Sequence, residues 1–160
     1  MPGAPTLAQG GAFAPPPAAS LGMIRGRAEV VDGDTLDIGG WRIRLHGIDA
    51  PESDQPCFRG SRRWDCFAAS AQALERLIGS AEVVCLPVDP PSFGRIVGRC
   101  WVGGTEIGGW MVWAGWAVVN ERYNRAPEYL RFQAEARAER RGLWSSRFMH
   151  PDDWRASRRR

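Results

Sequence analysis

The chain has 160 residues, a net charge of +3, 44% hydrophobic and 24% charged residues, proportions of a single globular domain with a real core. No apolar run approaches the roughly 20 residues that a bilayer crossing needs, which excludes a membrane-spanning helix and leaves no membrane partner expected. The charge alone is too small to argue for a polyanionic partner, although all 21 basic residues are Arg, whose planar fork suits phosphate.

Residues 1–22 are rich in Ala, Pro and Gly and read as a flexible leader, with the folded domain over 23–150. The leader has no basic residue before Arg25 and no continuous apolar core, so no signal peptide is visible. From Arg27 the pattern becomes strand-like and leads into Asp32-Gly33-Asp34-Thr35. Leu36–Ile38 and Trp41–His46 flank Gly39-Gly40, a hairpin signal because a type I′ turn needs positive φ at both central residues. That turn sets Asp37 opposite Arg42 and Thr35 opposite Arg44, and alternation turns Trp41, Ile43 and Leu45 inward. Strict alternation also puts Arg44 and Asp34 on opposite faces. For the two to meet, the strand has to end, twist or bulge near Asp34.

Pro51 ends the next strand, and a polar loop is expected from there to about Asp65. Phe67, Ala71, Leu74 and Ile78 recur at helical spacing and mark a first helix ending near Gly79. Two apolar runs follow, Ala81–Cys85 and Ile96–Val102, joined through Pro90-Pro91-Ser92. A second helix is expected over Ile107–Ala114, a short strand over Ala117–Val119, and a third helix from Pro127 to Gly142 with Tyr129, Phe132 and Ala136 on its apolar face. Trp144 and Trp154 are expected to pack a C-terminal extension onto the body, and residues 151–160 read as a basic tail. The whole is α+β, mainly β: a five-stranded OB-fold-type barrel carrying three helices.

Four cysteines allow three pairings. Folding the second hairpin about Ser92–Phe93 places Cys85 opposite Cys100, which leaves Cys57 to bridge Cys66. Two such bridges imply export to an oxidising compartment, periplasmic or extracellular. Free thiols in a cytoplasmic protein are the alternative.

Asp34, Asp49 and Glu52 lie around the first hairpin with Arg44 between them, and Arg95 sits at the tip of the second. Phosphodiester hydrolysis needs a hard cation, an oriented water and cationic donors for the growing charge, and these five side chains could supply all three. Taken singly, each is an ordinary turn, strand end or hairpin tip. His46 alone reads as a packed or surface residue, and the eight Trp as core and interface material.

In combination, Val31-Asp32-Gly33-Asp34-Thr35, Arg42 through Glu52, and Phe93-Gly94-Arg95 resemble the three signature segments of the staphylococcal nuclease family, and Gly115-Trp116-Ala117 and Gly142-Leu143-Trp144 extend the likeness over residues 25–147. The resemblance implies a nuclease acting on DNA and/or RNA and leaving 3′-phosphate ends. It implies Ca²⁺ bound by Asp34, Asp49 and the Ala50 carbonyl, with Glu52 acting on the water and Arg44 and Arg95 gripping the phosphate. Tyr123 would help to hold the substrate, and no obligate protein partner is implied. The chain departs from the family at Pro91, Ser92, Phe93 and Glu121, positions that help to hold a terminal nucleotide. The alternative is a catalytically silent member of the same fold that binds nucleic acid or protein.

Overall fold

Alternation in the N-terminal third produces a three-stranded meander whose third strand is later met by a strand from the second half of the chain. The computed structural model describes residues 22–88 and 96–159. In it β1 (Ile24–Asp32), β2 (Thr35–Ile38) and β3 (Trp41–Leu45) form the meander, followed by short strands β4 (Ile48–Asp49), β5 (Cys57–Arg59) and β6 (Arg62–Trp64). Then come α1 (Cys66–Ile78), the long strands β7 (Glu82–Pro87) and β8 (Ile96–Val102), β9 (Thr105–Glu106), α2 (Ile107–Trp113), β10 (Val118–Val119), α3 (Glu128–Ala138), β11 (Arg147–Phe148) and α4 (Pro151–Arg158). Strand order β3-β2-β1-β7-β8 closes through a parallel pairing of β3 with β8, giving a five-stranded barrel with β9 appended to β8. The leader expected over 1–22 lies, Gly22 apart, outside the described residues, as do Pro90–Phe93 and Arg95.

The first hairpin has the register that its turn dictates. Gly39 and Gly40 both take positive φ, 55° and 84°, and pair Asp37 with Arg42 and Thr35 with Arg44. Arg42 forks onto both carboxylate oxygens of Asp37 at 3.0 Å on the exposed face. Ile43 and Leu45 point into the core, but Trp41 does not: it is 56% exposed. Among the described residues the pairing of β3 with β8 begins at Ile43, so Trp41 projects beyond the closed part of the barrel.

A register shift between Val30 and Asp32 interrupts the β1–β2 ladder. This irregularity, together with the turn at Gly33-Asp34, lets Asp34 and Arg44 face one another despite strict alternation on either side. Cys85 pairs with Cys100 in the β7–β8 register and the two form a disulfide; Cys57 and Cys66 form the other.

The stretch expected as a polar loop before Asp65 contains the β5–β6 hairpin, to which β11 adds a third strand. Its side chains are mostly polar and exposed, so no hydrophobic alternation betrays it; the Cys57–Cys66 bridge and β11 hold it instead. The helix count also differs from the three expected, because residues 151–158 of the basic tail form α4. Pro151 opens it, the His150 ring accepts from the Asp152 amide, and Asp152 and Asp153 occupy its first turn, a normal N-terminal pattern. The core joins inward residues of the barrel, such as Leu36, Ile43 and Val83, to Leu74 of α1, Met111 of α2 and Tyr129 and Phe132 of α3. No helix among the described residues is long and apolar enough to cross a membrane.

Candidate active site

The strand irregularity and the β3–β4 corner build one wall of a cleft of about 720 Å³, lined by Asp34, Arg44, Glu52, Tyr123 and Arg155 among others. Gly33 makes the wall close. A Cβ on it would stand 2.0 Å from Ser70 Oγ and 2.7 Å from Ala50 Cβ, so only glycine lets the turn press against α1 and the Asp49–Ala50 corner. Asp34 is thereby delivered to Ala50, whose amide donates to Asp34 Oδ2 at 2.8 Å, while the Thr35 hydroxyl donates to Oδ1 at 2.9 Å.

Arg44 joins the two aspartates. Its Nη1 lies 2.7 Å from Asp34 Oδ2, an ion pair without the alignment of a hydrogen bond, and its Nη2 donates to Asp49 Oδ1 at 2.5 Å. Asp49 is fully buried, and its other oxygen accepts from Asn120 Nδ2 at 2.9 Å. Burial pushes the Asp34 carboxyl up to about 6; Arg44 opposes this, and the neighbouring Asp32 adds to it. Glu52 stands across the cleft. Its Oε1 accepts from Arg155 Nη1 at 2.5 Å, and Arg155 Nη2 reaches Asp49 Oδ1 at 3.3 Å and Asp152 Oδ1 at 3.1 Å. Partial burial works against the Arg155 cation, but the hydrogen bond to Glu52 and the charge of Asp49 outweigh it and hold the guanidinium firmly protonated.

Of the residues singled out from sequence, Asp34, Arg44, Asp49, Ala50 and Glu52 come together here. Tyr123, 63% exposed, lies on the rim. Arg95 falls outside the described residues. His46 is buried, and its Nε2 accepts from the Arg125 amide at 3.2 Å, a packing role. Asn120 and Arg155 join the site without a signal in their own neighbourhoods, since both reach it through long-range packing. For Arg155 the helix-start signals around Pro151 could have foretold a helix, but not its direction.

The donor set is all oxygen, the chemistry that Ca²⁺ selects. Two of its carboxylates already converge on one guanidinium, so their charges face a shared point, and the raised Asp34 carboxyl is one that a cation would return to its ionised form. The residues therefore fit a hard cation chemically. As they stand, however, the carboxylates are engaged by arginines, and no group of three acidic, His or Cys side chains among the described residues is arranged to hold a metal ion.

A family model described as staphylococcal nuclease homologue matches residues 42–146. The chain is 33% identical over 131 residues to the succinoglycan biosynthesis protein ExoI of Rhizobium meliloti (strain 1021), covering 79% of this chain and 68% of that protein. It is 37% identical over 128 residues to an uncharacterized endonuclease of Escherichia coli, covering 76% and 78%. It is also 38% identical over 120 residues to the probable staphylococcal-like nuclease CAN3 of Oryza sativa subsp. japonica, covering 74% of this chain but only 29% of the rice protein. Asp34 precedes the matched span of the family model and Arg155 follows it.

Proposed function

The chain belongs to the staphylococcal nuclease family, and from that premise we propose that it is a calcium-dependent nuclease hydrolysing phosphodiester bonds of DNA and/or RNA and leaving 3′-phosphate ends. The observation that carries this reading is the meeting of Asp34, Glu52 and Arg44 in one cleft from separate turns and strand ends, with the buried Asp49 bonded to Arg44. Asp34, Asp49 and the Ala50 carbonyl would hold the ion. Bound there, Ca²⁺ would neutralise a non-bridging phosphate oxygen and supply water from its shell.

The remaining chemistry falls to this chain's own side chains. Glu52 accepts a proton from the attacking water, and only its Oε1 is engaged by Arg155. Arg44, between the two aspartates, would offer N–H donors to the phosphate, where charge grows in the transition state. Arg95, which the family resemblance pairs with Arg44, is the second cation for that phosphate. Tyr123, on the rim, offers a ring to the nucleotide. The water oxygen bonds to phosphorus as the P–O5′ bond breaks, the 5′ oxygen takes up a proton from solvent and leaves as a hydroxyl, and the phosphate stays on the 3′ oxygen. The two disulfides support a working place in an oxidising compartment, periplasmic or extracellular.

A specific observation favours a second reading, a silent binding module: Arg44 and Arg155 are each paired with the site's carboxylates. One experiment separates the two. Single-stranded DNA, duplex DNA and RNA are incubated with the purified, demonstrably folded protein in calcium and in excess EGTA. Cleavage in calcium alone establishes the nuclease and ranks its substrates. Intact substrate in both overturns the nuclease reading in favour of the binding module.

A further inference from the structure

The segment that ends the described chain grips the loop carrying Glu52 at three points. Arg155 Nη1 donates to Glu52 Oε1 at 2.5 Å. Gln55 Oε1 accepts from the Glu52 amide at 3.1 Å, while its Nε2 donates to the carbonyl of Met149, so one side chain links the Glu52 backbone to residues just before α4. Asp54 accepts from the Trp154 indole N–H at 3.1 Å and from Arg158. The segment is itself moored to the barrel side, because His150 Nε2 lies 3.0 Å from the carbonyl of Val119 in β10, the strand that pairs with the Asp49 strand. Gln55 is 4% exposed, a buried polar side chain whose amide serves this link at both ends. Residues 149–158 all lie beyond the span that the family model matches.

A free loop would carry Glu52 through many rotamers and backbone states, and a base that must meet a water within hydrogen-bond reach loses rate with each misplacement. We propose that residues 149–158 act as a brace that fixes Glu52 in the cleft, with Arg155 as its positioning residue. Arg155 acts through Glu52 and not on the substrate, since all three of its partners are carboxylates of this chain. An arginine suits this role because its fork spans Glu52 on one nitrogen and Asp49 with Asp152 on the other, which the single ammonium of Lys does not reproduce.

The inference rests on the nuclease reading, and its test keeps the two apart. Initial rates against substrate concentration are measured for wild type, Arg155→Ala, Arg155→Lys, Glu52→Gln and the double variant Arg155→Ala/Glu52→Gln, with amide hydrogen exchange over residues 52–55 for each. The brace predicts that Arg155→Ala lowers kcat by about tenfold to a hundredfold and leaves KM within about twofold. Arg155→Lys recovers part of the loss. In the Glu52→Gln background the Ala substitution costs nothing more, and exchange at 52–55 quickens when Arg155 is removed. Four results overturn it: an unchanged kcat, a loss confined to KM, an undiminished loss in the Glu52→Gln background, or a rise in kcat, the last marking Arg155 as a plug. If wild-type protein cleaves nothing, the nuclease reading fails, and the exchange data judge the brace alone: unchanged protection in Arg155→Ala overturns it, and quickened exchange upholds it.

Discussion

Asp34 and Ala50, 16 positions apart, are joined by a buried hydrogen bond of 2.8 Å from the Ala50 amide to the Asp34 carboxylate. It ties the turn after β1 to the corner after β4, and so fixes the spacing of the two candidate metal-ligand segments. The carboxylate that makes it is also the one pushed up to about 6 by burial. Its removal should therefore register in both stability and chemistry.

In EGTA the pH dependence of stability has a definite sign. Asp34 titrates at about 6 in the folded chain and near 3.8 when free, so between those values the folded state holds the extra proton and stability falls as pH rises. Asp34→Asn keeps an acceptor for Ala50 and removes the titration. Denaturant midpoints of wild type minus variant should decline from pH 4 to pH 6.5. A flat difference would show that Asp34 is not held up by burial.

Glu52→Gln preserves size and hydrogen bonding but not proton acceptance. Turnover should fall by about a hundredfold or more. Calcium affinity, read by calorimetry, should hold within about threefold, since the variant leaves Asp34 and Asp49 intact. Wild-type turnover in this variant would remove Glu52 from the mechanism.

Gly33→Ala places a methyl 2.7 Å from Ala50 Cβ and 2.0 Å from the Ser70 hydroxyl, which is itself committed to the Trp116 carbonyl at 2.7 Å. Relief needs a shift of the turn, at a cost of about 1–3 kcal/mol. Chemical denaturation should show that loss, and cleavage should fall with it because Asp34 moves with the turn. Ser70→Gly in the same chain should restore part of both.

The native protein should weigh four hydrogens less than its reduced form, because both cysteine pairs are bridged. Replacing Cys85 and Cys100 by Ser opens a link spanning 15 positions and should cost about 3 kcal/mol in a denaturation series. Replacing Cys57 and Cys66, 9 positions apart, should cost somewhat less by the same chain-entropy reasoning. Four alkylatable thiols in native protein would overturn the pairing and the inferred compartment together.

Residues that meet through a turn were legible in the sequence, because local geometry leaves them little choice. Two adjacent glycines dictate a two-residue turn that carries Asp37 to Arg42, and folding the second pair of apolar runs about its midpoint carries Cys85 to Cys100, without knowledge of the rest. The five-stranded barrel and its closing helices followed from the same periods, and the signature segments collected the acidic residues and Arg44 into one candidate set. Where periodicity was silent the reading lapsed, as in the β5–β6 hairpin, which has no apolar alternation; Trp41 obeys its alternation, but among the described residues it sits past the point where β8 pairs with its strand.

Only the tertiary structure decided how the set is held. The shift between Val30 and Asp32 that lets Asp34 face Arg44 is a choice the barrel makes in bending. Asn120 on Asp49 and Arg155 on Glu52 are contacts across 71 and 103 positions. Such pairs depend on how whole elements dock, and docking is set by the summed burial of many side chains, of which no short stretch of sequence carries a trace.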